Sequence, residues 1–130
     1  MMSESIELQN VLDTFEDLWS PRIVTQFNDY DVRVAKFGGE YIWHAHEDTD
    51  EFFLVVDGTL TIWLRENDEE RSVTLPKGAV FVVPKGMEHK PVASDGASIL
   101  MIEPTGTLTV GDRHEDVPDY IDATTGHRLA

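Results

Sequence analysis

Apolar positions recur with helical spacing only near the start of the chain. Leu8, Val11, Leu12, Phe15, Leu18 and Trp19 stand at i, i+3, i+4, i+7, i+10 and i+11, which predicts an amphipathic helix over residues 6–19. Ser20-Pro21 ends it, because the residue before a proline avoids the α region. From Arg22 to Glu103 short β-branched and aromatic runs take over, at 23–27, 30–37, 40–46, 51–56, 60–65, 72–75, 80–83, 89–93 and 98–103. Asn28-Asp29, Gly38-Gly39, Asp57-Gly58, Asn67-Asp68, Lys77-Gly78 and Asp95-Gly96 punctuate them. Asp57-Gly58 between apolar runs reads as a two-residue hairpin, whose type I′ turn needs positive φ at both central positions. So many short strands predict an all-β sandwich or barrel behind a short N-terminal helix. Residues 104–130 lose periodicity and are expected to lie over the barrel or a neighbouring subunit. The expected organisation is one domain, 1–130, with a helical segment at 1–21, a barrel at 22–103 and an extension at 104–130.

Composition fits one globular domain: 41% of the 130 residues are hydrophobic and 27% charged. The absence of cysteine excludes disulfides and thiolate metal sites. A formal charge of −15, from 10 Lys and Arg against 25 Asp and Glu, opposes binding to nucleic acid or to an anionic membrane. The first twenty residues contain acidic side chains and no Lys or Arg, unlike a signal peptide. No apolar run approaches a membrane span of about 20 residues. A cytoplasmic location is therefore expected.

The five histidines are His44, His46, His89, His114 and His127. His44 and His46 lie two apart in a run that reads as a strand, so both imidazoles share a face, together with Ile42 and Glu40. Each buried ring nitrogen needs a partner, and one shared divalent cation satisfies both rings. A carboxylate follows within a short turn, at Glu47, Asp48, Asp50 or Glu51. Nitrogen and oxygen ligands without thiolate suit Mn, Fe, Co, Ni, Cu or Zn. His114 and His127 fall in the polar tail and read as exposed loop residues.

Two spacings extend this picture. Gly38, His44, His46, Glu51 and Gly58 are separated by five, one, four and six residues. Gly78, Pro84, Gly86 and His89 are separated by five, one and two. Together they resemble the two motifs of the cupin superfamily, and the likeness in strand pattern runs from about Arg22 to Glu103. Ala93 stands where the family pattern ends in Asn, a position that is not a metal ligand. The resemblance implies a double-stranded β-helix, or jelly-roll barrel, with His44, His46, Glu51 and His89 as ligands to a divalent metal. Asp50 competes with Glu51, but Gly58 falls at the motif distance from Glu51. The segment Glu103-Pro104-Thr105-Gly106-Thr107, followed by Gly111-Asp112, is similar to small bacterial cupins grouped as mannose-6-phosphate isomerase-like.

Strand parity places Phe53 and Val55 on the face of Glu51, and Met87 near His89. Trp63 and Met101 are further candidates for the pocket, while Trp43 should face away from His44. No inward Arg or Lys is evident. Arg33 and Lys85 are the candidates that a phosphorylated substrate would require. Three histidines and one carboxylate leave open positions on a six-coordinate ion, which fits a metalloenzyme acting on a small organic substrate. The resemblance to cupins implies dioxygenase or isomerase chemistry. The isomerase needs a second inward carboxylate, for which Glu40 and Glu88 are candidates. The alternative is a non-catalytic metal-dependent binding or sensing module. The resemblance also implies a homodimer, and the acidity favours small neutral or weakly acidic ligands.

Overall fold

The structure, a computed structural model, describes residues 4–114 and 116–129, with backbone only at 113 and 114. One short helix, α1 (Leu8–Leu12), precedes ten strands. These are β1 (Arg22–Phe27), β2 (Tyr30–Glu40), β3 (His44–Ala45), β4 (Glu51–Gly58), β5 (Leu60–Glu66), β6 (Glu69–Leu75), β7 (Val80–Val83), β8 (Glu88–Pro104), β9 (Arg113–His114) and β10 (His127–Arg128). The fold is a jelly-roll barrel, as expected. No described helix is long and apolar enough to cross a membrane.

β8 is the spine of the barrel. It pairs antiparallel with β2, β3, β4 and β5. The runs 89–93 and 98–103 are therefore one strand, not two. The turn signal between them, Asp95-Gly96, marks a bend, with Gly96 at φ 85. Register shifts in β2 at Phe37/Gly39 and in β4 at Val55/Asp57 lie beside that bend. An extra residue in one strand of a pair sharpens its twist and folds the sheet over. Odd-numbered residues of β8 from His89 to Glu103 are buried apart from Asp95, so this spine presents one continuous inward row.

Asp57-Gly58 does not make a hairpin. β4 pairs with β7 and β8, and β5 with β6 and β8, so the dipeptide carries the chain from one pairing to another. Only Gly58 of the two has positive φ, at 83. A Cβ there would overlap the Gly96 carbonyl oxygen, so a close backbone approach requires this glycine. The two-residue turn with both φ values positive is Asn67-Asp68, between β5 and β6.

The helical stripe is only partly helical. After α1 the chain turns, and Leu18 makes a parallel bridge to Lys36 of β2. Trp19 takes φ 56 and stacks on Phe37 and Tyr41 at 4.3 and 4.7 Å between ring centroids. Sheet pairing and aromatic packing override the helical period here. The apolar residues are nevertheless buried: Val11, Leu12 and Phe15 pack on Val24 and Val34 of the outer face. Residues 104–114 and 116–129 lie over the barrel, with Val110 and Ile121 buried. β9 pairs with β3, and β10 runs parallel to β1. The side chain of His114 lies outside the described residues.

Candidate metal centre

His44 and His89 are cross-strand partners on β3 and β8, with ring centroids 4.2 Å apart. Glu51 opens β4, and His46 follows β3. Ligand atoms of His44, His46, Glu51 and His89 lie within 4.8 Å of one another, and all four residues are buried. The expected strand at 40–46 is reduced to His44–Ala45. Residues 41–46 are buried without alternation, because the segment is enclosed on both sides rather than lying on one sheet face. Glu40 is exposed and pairs with Lys90 at 2.7 Å.

Hydrogen bonding prepares two of the imidazoles. His44 Nδ1 donates to the Ile42 carbonyl at 2.9 Å, and His89 Nδ1 donates to the Met87 carbonyl at 3.0 Å, when each Nδ1 carries the proton. Each Nε2 then offers a lone pair to the cluster, as metal-binding histidines require. Burial, with the neighbouring His89, lowers the His44 pKa to about 3, so its ring is neutral. Burial would lower His46 as well, but the Glu51 carboxylate outweighs it and raises the pKa to about 9. Burial would raise Glu51, yet His46 and His89 hold it well below the usual carboxylate range. His46 Nε2 and Glu51 Oε2 are in close contact, and His89 Nε2 lies 3.5 Å from Glu51 Oε2. Despite this proximity His46 Nε2, Glu51 Oε2 and His89 Nε2 have no hydrogen bond of acceptable geometry. Three buried polar atoms facing one point fit a cation of the kind nitrogen and oxygen donors bind.

The other acids of the loop lie outside the cluster. Glu47, Asp48 and Asp50 are exposed, and Asp50 accepts the Lys85 backbone N–H at 2.9 Å. A cavity of about 20 Å³ adjoins the cluster, lined by Trp19, Phe37, Tyr41, Phe53, Met101 and Glu103 among others. That is room for about one water. Of the sequence-nominated pocket residues, Phe53 and Met101 line it. Met87 packs partly buried against the core. Trp63 faces outward, since its neighbours Ile62 and Leu64 are the inward residues of β5. Trp43 lies between Arg65 and Lys90, with Arg65 3.9 Å over its ring.

Two residues depart from the sequence reading. Arg33 is inward and fully buried. Its guanidinium reaches Asp31 at 3.2 Å, Glu103 at 3.3 Å and the Thr107 carbonyl at 3.1 Å. Glu103 is the second inward carboxylate, whereas Glu88 is half-buried on Arg65 at 3.4 Å. Burial and the charge of Glu51 raise the Glu103 pKa to about 8, against the pull of Arg33. Glu103 shares the parity of His89 along β8, the signal from which it could have been found. Burial also raises the Tyr41 phenol above its ordinary value. Its hydroxyl faces Thr109 without a hydrogen bond of good geometry.

The Cupin domain family model matches residues 31–103. An uncharacterised Bacillus subtilis protein, YdbB, is 42% identical over 67 residues, covering 52% of this chain and 57% of that protein. The chain thus spans little more than half of this curated relative. A cupin-2 domain protein from Shewanella frigidimarina is 42% identical with a TM-score of 0.72, over 76% of this chain and 93% of that one. Protein NMB1881 from Neisseria meningitidis is 30% identical with a TM-score of 0.69, over 78% and 99% of the two chains.

Arg33→Met should destabilise the protein by about 3–5 kcal/mol in urea unfolding, because the buried Asp31 carboxylate loses its counter-charge and Glu103 loses a hydrogen-bond donor. A loss below about 1 kcal/mol would assign that charge balance to other groups.

Proposed function

This chain belongs to the cupin family, and we propose that it is a single-domain metalloenzyme in which His44, His46, Glu51 and His89 hold one divalent transition metal ion beside a small organic substrate. The observation that carries this reading is the convergence of three buried, unpartnered ligand atoms, on His46, Glu51 and His89. Leaving such atoms unsatisfied costs about 1–3 kcal/mol each. Mn, Fe, Co, Ni, Cu and Zn all accept this ligand set. When bound, such an ion supplies a Lewis acid to a substrate oxygen, or a site for dioxygen if it is redox-active.

Glu103 favours proton-transfer chemistry over oxygen chemistry. Its carboxyl lines the same cavity as His44 and Glu51, and burial with the charge of Glu51 raises its pKa to about 8 in the metal-free site. It can give its proton to one substrate atom and recover one from another, a redox-neutral isomerisation. Tyr41 supplies a hydroxyl donor on the same wall. Phe37, Phe53, Trp19 and Met101 exclude water around them. A phosphorylated sugar gains no support, despite the mannose-6-phosphate isomerase-like character of the tail, because both terminal nitrogens of Arg33 are already committed to Asp31, Glu103 and Thr107. The small volume of the inner cavity favours a second reading, a non-catalytic metal-dependent binding or sensing barrel.

A homodimer is part of the proposal. Val80 and Val82 of β7 are 53% and 44% exposed. They stand beside Leu54 and Phe52 of β4, whose partners on β8 are Leu100 and Ile102. This outward apolar face suits a second copy of the chain.

Elemental analysis of the purified protein should find about one transition metal per chain, the single site expected of these ligands. His46→Ala should lose it while keeping the β circular dichroism; a protein that stays metal-free after reconstitution would overturn the reading. Metal-loaded protein should exchange the α-protons of small carbonyl compounds with D2O, and Glu103→Gln should slow this by about 10²-fold or more. Equal rates in the two proteins would favour the binding module. Light scattering should give a dimeric mass that Val82→Lys converts to monomer, and a monomeric wild type would remove the dimer from the account.

A further inference from the structure

The metal cluster has a second side. His46 also lines a surface groove of about 280 Å³ between the 46–49 turn and the 105–112 segment. His44 and His89 tie Nδ1 to backbone carbonyls, but His46 Nδ1 has no hydrogen-bond partner among the described residues and, unlike its Nε2, is not sealed from solvent. With Nε2 turned to the cluster, Nδ1 carries a proton and is a donor to the groove.

Apart from the apolar Leu108, the other described side chains of the groove present acceptors. Thr49, Thr105 and Thr107 each spend the hydroxyl proton inside the protein, on the Asp50 carbonyl, the Asp31 carboxylate and the Pro104 carbonyl. The lone pairs of Thr49 and Thr107 remain, and Thr105 keeps one beside the hydrogen bond it accepts from Gln26. Asp48 and Asp112 add carboxylates, and Asp112 Oδ2 accepts the Glu47 N–H at 2.8 Å. Gly111, at φ 70, holds this wall against the barrel: a Cβ there would overlap the Ala45 carbonyl oxygen. One imidazole donor among many acceptors matches a hydroxyl, which accepts one hydrogen bond and donates another. Anions meet two carboxylates and are repelled.

We propose that this groove is the ligand-recognition site, taking a neutral polyhydroxylated molecule whose hydroxyl bridges His46 Nδ1–H and the Asp112 carboxylate. The proposal rests on the metal reading above, since the bound ion fixes the His46 tautomer.

The test is isothermal titration of the metal-loaded protein with xylitol, and separately with inorganic phosphate and succinate. Xylitol should bind and the two anions should not. Asp112→Asn keeps an acceptor for the Glu47 N–H, so the loop should stay folded, yet xylitol affinity should fall about tenfold, as for a hydrogen bond to a charged group. Thr49→Trp should fill the groove and abolish binding. Metal content, measured on every variant, should not change. No xylitol binding by a metal-loaded wild type, or equal binding by both variants, overturns the proposal while leaving the metal site standing. A wild type without metal overturns the metal reading and this proposal with it.

Discussion

Four ionisable side chains meet inside the barrel, and the structure has to accommodate them without water. His44, His46, Glu51 and His89 are each at most 5% exposed. Backbone carbonyls accept from Nδ1 of His44 and His89, while Nε2 of His46 and His89 and Oε2 of Glu51 have no hydrogen bond among the described residues. Buried polar groups in folded proteins are almost always partnered. A cation bound there would supply the missing partner to several atoms at once, which accounts for the convergence.

The spine strand makes this convergence possible and links it to the rest of the interior. β8 carries His89, Met101 and Glu103 on one inward row. It pairs His89 with His44 on one side and Leu64 on the other. Farther along, Asp31 is the cross-strand partner of Glu103, with Arg33 between them. The metal cluster and this charged group are thus neighbouring layers of one barrel. Glu51 raises the Glu103 pKa, and Arg33 limits the rise. The arrangement puts a proton-carrying group beside a metal-binding group through backbone register alone. The terminal segments complete it: Trp19 and Thr109 close the inner cavity, and Asp112 borders the outer groove.

Local patterns made much of this legible. The spacings around Gly38 to Gly58 and Gly78 to His89 named the residues that the fold brings together. Strand runs and most turns followed from β-branched stretches and Gly/Asn/Asp pairs. The failures lie where tertiary contacts outweigh local preference. Trp19 leaves its helical pattern to stack on Phe37 and Tyr41. Asp57-Gly58 resembles a hairpin but makes a crossover, because pairing partners are set by the whole sheet. Trp63 faces out because Leu60, Ile62 and Leu64 take the inward positions of β5. Arg33 was a candidate for a phosphorylated substrate with no evident inward placement, and the opposing Asp31 and Glu103 explain its burial. Glu103 was within reach of parity from His89, had the strand been read through Asp95-Gly96. The groove was not readable, since it joins the 46–49 turn to a segment without periodicity some sixty positions later.

Anomalous diffraction at the absorption edge of the metal found in the protein tests the central claim most directly. A single strong peak among His44, His46, Glu51 and His89 is the expected result. No peak there in a metal-reconstituted crystal, or a peak only at surface carboxylates such as Asp48 and Asp50, would contradict the account.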